Sequence, residues 1–206
     1  MNVSRLAARV AGAFIAAAAG LAISTAQAQD IRMYAFSSGA LTLGKGILQN
    51  LAPLEPPLQL PVGFYLIRHP RGNVLFDTGN NDKLITDSSY WPAAHMAMKP
   101  VTTPDVAIDV QLRKVGVSPD DITYVVLSHM HLDHAGNAAK FPKATIIVQK
   151  DEVRNAFWPE AGTGGPYVLG DYLPLRRPYD NQTNAVNMIQ LTGDHDVFGD
   201  GTMIVN

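Results

Sequence analysis

The sequence predicts an α/β protein, and three observations predict it. Two runs, Ile122-Thr123-Tyr124-Val125-Val126-Leu127 and Ala144-Thr145-Ile146-Ile147-Val148-Gln149, are rich enough in β-branched residues to be strands, the first covered on both faces. A helical pattern precedes the first run and another follows the second, so the order reads strand, loop, helix, strand, helix. The composition, 47% apolar and 17% charged over 206 residues, suits a globular chain with one domain after any targeting segment.

Each element follows from local chemistry. Residues 1–28 are expected to be a cleavable secretory signal: Arg5 and Arg9 precede an alanine-rich apolar stretch from Val10 to Ile23, and Ala26-Gln27-Ala28 supplies an A-x-A cleavage pattern. That stretch is shorter than the roughly 20 apolar residues of a spanning helix. No stable membrane span is therefore expected after cleavage, and the domain over 29–206 is expected to be exported, to a bacterial periplasm. A first strand is expected from Asp30 to Leu43, then a proline-rich loop through Pro53, Pro56, Pro57 and Pro61. Val62 to Arg68 and Asn73 to Phe76 read as a hairpin turning at His69-Pro70-Arg71-Gly72. Asn80 to Pro100 has no clean period and is expected to be a loop or lid with a short helix.

A helix follows Thr103: threonine can cap it, Pro104 fits its first turn, Ile108, Leu112 and Val115 share a face, and Gly116 stops it. Asp151 to Phe157 reads as a helix begun by acids. Gly162 to Pro166 is a flexible loop, Val186 to Leu191 a strand, and Gly199-Asp200-Gly201 a turn into a last strand from Thr202 to Val205.

Charge and cysteine usage exclude some functions. Cleavage after Ala28 leaves 14 basic residues against 18 acidic ones, which gives no footprint for nucleic acid. With no cysteine, export needs no disulfide chemistry, and a metal must be held by histidine and carboxylate.

Such donors are concentrated in Ser128-His129-Met130-His131-Leu132-Asp133-His134-Ala135-Gly136, directly after a strand. In an extended segment side chains alternate, so His129 and His131 point together while Met130 and Leu132 face apolar packing. A turn into helix at Asp133 and His134 would aim those two at a second, nearby position. Neutral imidazole and carboxylate suit Zn²⁺, and Mn²⁺, Fe²⁺ or Co²⁺ as well. A metal pair sharing a water would lower its pKa toward neutrality and polarise a carbonyl or phosphoryl group, which is hydrolytic chemistry.

The HxHxDH run from His129 to His134 resembles the signature of the metallo-β-lactamase superfamily. Three further stretches, Leu75 to Gly79, Phe141 to Glu152 and Asp194 to Gly201, are similar to its N-acyl homoserine lactonase (quorum-quenching) branch. The resemblance implies an αββα sandwich, of which this chain would hold the N-terminal half and the start of the second. It implies a metallo-hydrolase with two zinc ions that opens the lactone ring by metal-bound hydroxide. His129 and His131 would hold one ion, Asp133 and His134 the other, with Asp133 also helping to manage the proton and Asp77 lying beside the site. The substrate would be a small acyl lactone or ester. Asn80 to Pro100 and Phe157 to Tyr172 are the segments expected to recognise its acyl chain or simply to cover the core.

The resemblance places a third histidine for the first ion, a bridging aspartate and a final histidine after the position of Asn206. On that count the 206-residue chain is expected to bind metal weakly and to show little or no activity. The other readings are a non-catalytic exported metal-binding fragment, or a hydrolase of the same superfamily acting on thioesters, β-lactams or phosphoesters. His69 and His95 are expected to be packed or surface histidines, His195 not to be a ligand, and Asp194, Asp196 and Asp200 to be turn acids.

Overall fold

The structure, a computed structural model, describes residues 30–160, 165–176 and 187–206. The expected signal over 1–28, most of the Gly162 to Pro166 loop and the first residue of the Val186 strand lie outside the described residues. No helix among those described is long and apolar enough to cross a membrane.

Six strands form one sheet in sequence order: β1 (Arg32–Gly44), β2 (Pro57–His69), β3 (Gly72–Phe76), β4 (Ile122–Val126), β5 (Thr145–Gln149) and β6 (Asn187–Leu191). The first three run antiparallel, and β3 to β6 run parallel. The helices are α1 (Lys45–Leu48), α2 (Ala93–Met96), α3 (Ile108–Lys114), α4 (Lys150–Phe157) and α5 (Leu169–Tyr172); a small second sheet pairs β7 (His195–Asp196) with β8 (Ile204–Val205).

Alternation along the strands separates two cores. Leu75, Val125, Ile146 and Val148 face α3 and α4 and pack with Ile108, Leu112, Val153 and Ala156. Val74, Val126 and Ile147 face the opposite way, onto Val197 and Phe198, which follow β7, and Val205 of β8. Helices on one face and a second sheet on the other are the α, β and β layers that the family resemblance implies, and β4 is covered on both sides, as its β-branched run suggests.

Two sequence expectations are corrected. The proline-rich segment is a strand from Pro57 on, pairing Pro57 with Gly44 and Pro61 with Ala40. Proline is tolerated because, among the described residues, only β1 flanks this end of β2, β3 reaching no further than Tyr65, and because β1 bulges between Ser37 and Ala40. The turn into helix at Asp133 and His134 does not occur. The residues from His131 form turns, and a single 3-10 turn follows at Ala138–Lys140. The donors a helix would need are taken elsewhere: Gly136 N–H bonds the Gly79 carbonyl, and Asn137 N–H bonds Thr78 Oγ1. A Cβ at Gly136 would lie 2.4 Å from Asn81 N, so this close approach requires glycine.

The second sheet is fastened to the first by His69. Its Nδ1 accepts from the Arg71 amide at 3.1 Å, which places the ring proton on Nε2, 3.1 Å from Thr202 Oγ1, and its ring stacks on Phe198 with centroids 3.9 Å apart. His69 is thus a packed histidine, as the sequence suggests. The turn it grips is built by Asp196, which accepts from the amides of Phe198, Gly199 and Gly201. His69→Ala is expected to destabilise the protein by about 2 kcal/mol through the lost packing and hydrogen bonds. A lower urea midpoint at unchanged slope checks this.

Candidate metal centre

The parallel strands β3 and β4 end side by side, and the next residues of each carry the site. Asp77 follows β3 in a left-handed conformation, φ 58°, which aspartate tolerates better than most residues. Its amide bonds the Val126 carbonyl at 2.8 Å, tying it to the end of β4. Asp77 is buried, and both its oxygens are used: Oδ1 accepts from the Ser128 amide at 2.8 Å, while Oδ2 accepts from Ser128 Oγ at 2.9 Å and lies 2.8 Å from His134 Nδ1. Thr78 grips the same histidine from behind, its amide and hydroxyl both bonding the His134 carbonyl.

Met130 and Leu132 are fully buried, which leaves the imidazoles of His129 and His131 on the open side. Donor atoms of His129, Asp133 and His134 all lie within 4.8 Å of one another. The ring of His129 is 3.9 Å from that of His134 and 4.4 Å from that of His131. The four candidate ligands are therefore gathered in one half-buried cluster, and the tightest convergence crosses the division into a His129–His131 pair and an Asp133–His134 pair. Two imidazoles and a carboxylate around one point are the three protein ligands, with a position left over, that a catalytic zinc ion takes. The donor set fits a divalent ion.

Charge in the cluster is arranged for a cation. Burial works to lower the pKa of His134, but hydrogen bonds to Asp133 and Asp77 outweigh it and push the value up to about 9. Burial works the other way on Asp133, yet bonding to His134 holds its carboxyl below the usual range. His129 and His131 are lowered, first by burial and then by neighbouring imidazoles, so they present neutral nitrogen. The carboxylates that favour a proton on His134 favour any other cation there.

The remaining histidines stay out of the cluster. His69 lies under the second sheet, His95 is half-buried in α2, and His195 belongs to β7. Around Trp91, which is 1% exposed, Leu84, Leu132 and Val168 form a small core, so the 80–100 segment covers the motif from one side.

The layered fold, with a histidine and carboxylate cluster at the ends of β3 and β4, defines a scaffold whose donor set fits a divalent metal ion, and comparison with known proteins identifies its family. Residues 59–204 match the metallo-β-lactamase superfamily, and the chain belongs to that superfamily. It is 34% identical over 177 residues to the N-acyl homoserine lactonase AttM of Azorhizobium caulinodans, and 35% identical over 177 residues to that of Rhizobium radiobacter, in each case covering 84% of this chain. The chain spans 65% of the length of those relatives. Among solved structures it is similar to an N-acyl homoserine lactone hydrolase with the product N-hexanoyl-L-homoserine at its catalytic metal centre. That likeness has a TM-score of 0.66 at 27% identity, over 80% of this chain and 61% of the other.

Proposed function

We propose that this chain carries the metal-binding part of a zinc-dependent hydrolase that opens the ring of N-acyl homoserine lactones, and that it acts after export to the periplasm. The observation that carries the reading is the convergence of His129, Asp133 and His134 at the ends of β3 and β4, with His131 beside them. The lactonase names of its relatives supply the substrate class. A bound divalent ion supplies Lewis acidity, lowering the pKa of a water toward neutrality and polarising an ester carbonyl.

The chain's own residues do the rest. His129 and His131, lowered by burial, offer lone pairs at neutral pH. Asp77 orients His134 through Nδ1 and so turns Nε2 toward Asp133, 3.4 Å away. Asp133, ionised and half-buried, can hold the proton released as water adds to the carbonyl carbon and return it to the ring oxygen when the C–O bond breaks. The product is the open N-acyl homoserine.

The test is a panel of lactones of varied acyl length, a thioester, a β-lactam and a phosphoester, given to the zinc-loaded protein alongside isothermal titration with zinc. Uptake of at least one weakly held zinc ion per chain is the expected result, with whatever turnover the chain shows small, confined to the lactones, abolished by a chelator and restored by zinc. A preference for another substrate, or no zinc uptake, overturns the reading.

A further inference from the structure

Between the two histidines of the HxH pair lies the Met130 amide, whose hydrogen bond goes to no backbone carbonyl. It donates to Glu152 Oε1, on the first turn of α4, at 2.7 Å. The same oxygen accepts from Tyr167 Oη at 3.0 Å, and Tyr167 Oη accepts from Asn155 Nδ2 at 2.8 Å. The Tyr167 ring stands edge-on to His131, with centroids 4.8 Å apart and planes at 75°. From the other side of the same loop, the Leu132 amide bonds the Pro166 carbonyl at 3.0 Å. Gly165 passes so close that a Cβ there would lie 2.3 Å from His131 Nε2.

The Met130 side chain is fully buried and cannot drift. Its amide is therefore the pivot on which the backbone on either side turns, and fixing it fixes the spacing of the flanking imidazoles. An ionised carboxylate is the strongest acceptor available for such a pivot. Glu152 Oε1 is engaged by the Met130 amide and by Tyr167 Oη, so this oxygen serves the backbone of the motif and the ring that packs on it.

We infer that Glu152 is the positioning residue of the histidine pair, holding the Met130 amide so that His129 and His131 keep their separation, with Tyr167 clamping the ring of His131. The inference rests on the reading of residues 129–134 as a metal site, but its central claim concerns the imidazoles and can be tested without metal.

The experiment compares the full chain with its Glu152→Gln and Tyr167→Phe variants by NMR in metal-free buffer, then by zinc titration. Glutamine keeps the shape and an acceptor but removes the charge; phenylalanine keeps the ring on His131 and loses only the hydroxyl. In Glu152→Gln, the Met130 amide proton should move upfield, and the ring resonances of both His129 and His131 should shift. In Tyr167→Phe the shift should be confined to His131. Zinc affinity should fall about tenfold to a hundredfold for Glu152→Gln, the range for groups that orient metal ligands. Ring resonances of His129 and His131 unchanged in Glu152→Gln overturn the inference, whatever zinc does. Failure of the unmodified chain to take up zinc overturns the metal reading instead and leaves the NMR result to decide the role of Glu152.

Discussion

Replacing His134 with alanine is expected to weaken zinc binding by about 10² to 10³, measured by competition with a chromophoric chelator. A closed structural zinc site is worth on the order of 10–16 kcal/mol over four ligands, so one ligand carries roughly 3–4 kcal/mol. His134 should sit at the upper end, because it does two jobs. Its Nε2 lies 3.4 Å from Asp133, and its Nδ1 spends the charge of buried Asp77. Removing the ring leaves the Asp77 carboxylate, 4% exposed, with Ser128 as its one side-chain partner among the described residues and an empty space where the ring was. Loss of stability should therefore accompany loss of affinity. His195→Ala, on the second sheet, should change neither by a comparable amount. Zinc affinity that survives His134→Ala would place the ion outside the His129, Asp133 and His134 trio.

How much of this was legible beforehand depended on whether the signal was local. The HxHxDH run carries its own chemistry in six residues, and β4 and β5 announce themselves by β-branched density, so the position of the run just after a strand is legible from local signals. The hairpin at His69 to Gly72 was equally local. What failed was set by partners distant in sequence. The helix expected at Asp133 is prevented by carbonyls and a hydroxyl near position 79, 56 to 59 residues away in the bonds of Thr78 with His134 and Asn137. Pro57 to Pro61 reads as loop unless one knows that, among the described residues, only β1 flanks that part of β2. Glu152 illustrates the same limit: an acid in the first turn of a helix is explained by the helix dipole, and nothing in the sequence says that it reaches back 22 residues to the Met130 amide.

Asp171 is the second position where a large effect is expected, and here a carboxyl group costs the fold stability. It is 1% exposed; Tyr90 Oη and Asn81 Nδ2 both donate to its Oδ1 at 2.7 Å, and its Oδ2 has no hydrogen-bond partner among the described residues. Burial raises its pKa to about 6, the two donors opposing without cancelling the effect. An unfolded aspartate titrates near 3.9, so between about pH 4 and 6 the folded protein binds more protons than the unfolded one, and stability falls as pH rises. By pH 7 the loss from this group is complete, at about 3 kcal/mol. Asp171→Asn keeps the acceptor for Tyr90 and Asn81 and removes the charge, so the variant should gain on the natural protein steadily from pH 4 to pH 7. Urea unfolding of both proteins across that range checks it, and a stability difference that does not change with pH would refute the burial argument. The carboxylate's position gives its cost a context. Asn81, held by Asp171, also reaches the Gly136 carbonyl at 2.5 Å, and Tyr90 neighbours the buried Trp91. One charged oxygen thus joins α5, the covering 80–100 segment and the last turn of the metal motif. Zinc affinity measured in the same Asp171→Asn variant separates stability from function: because the amide preserves those hydrogen bonds, affinity should stay within about threefold of the natural protein while the pH profile of unfolding changes.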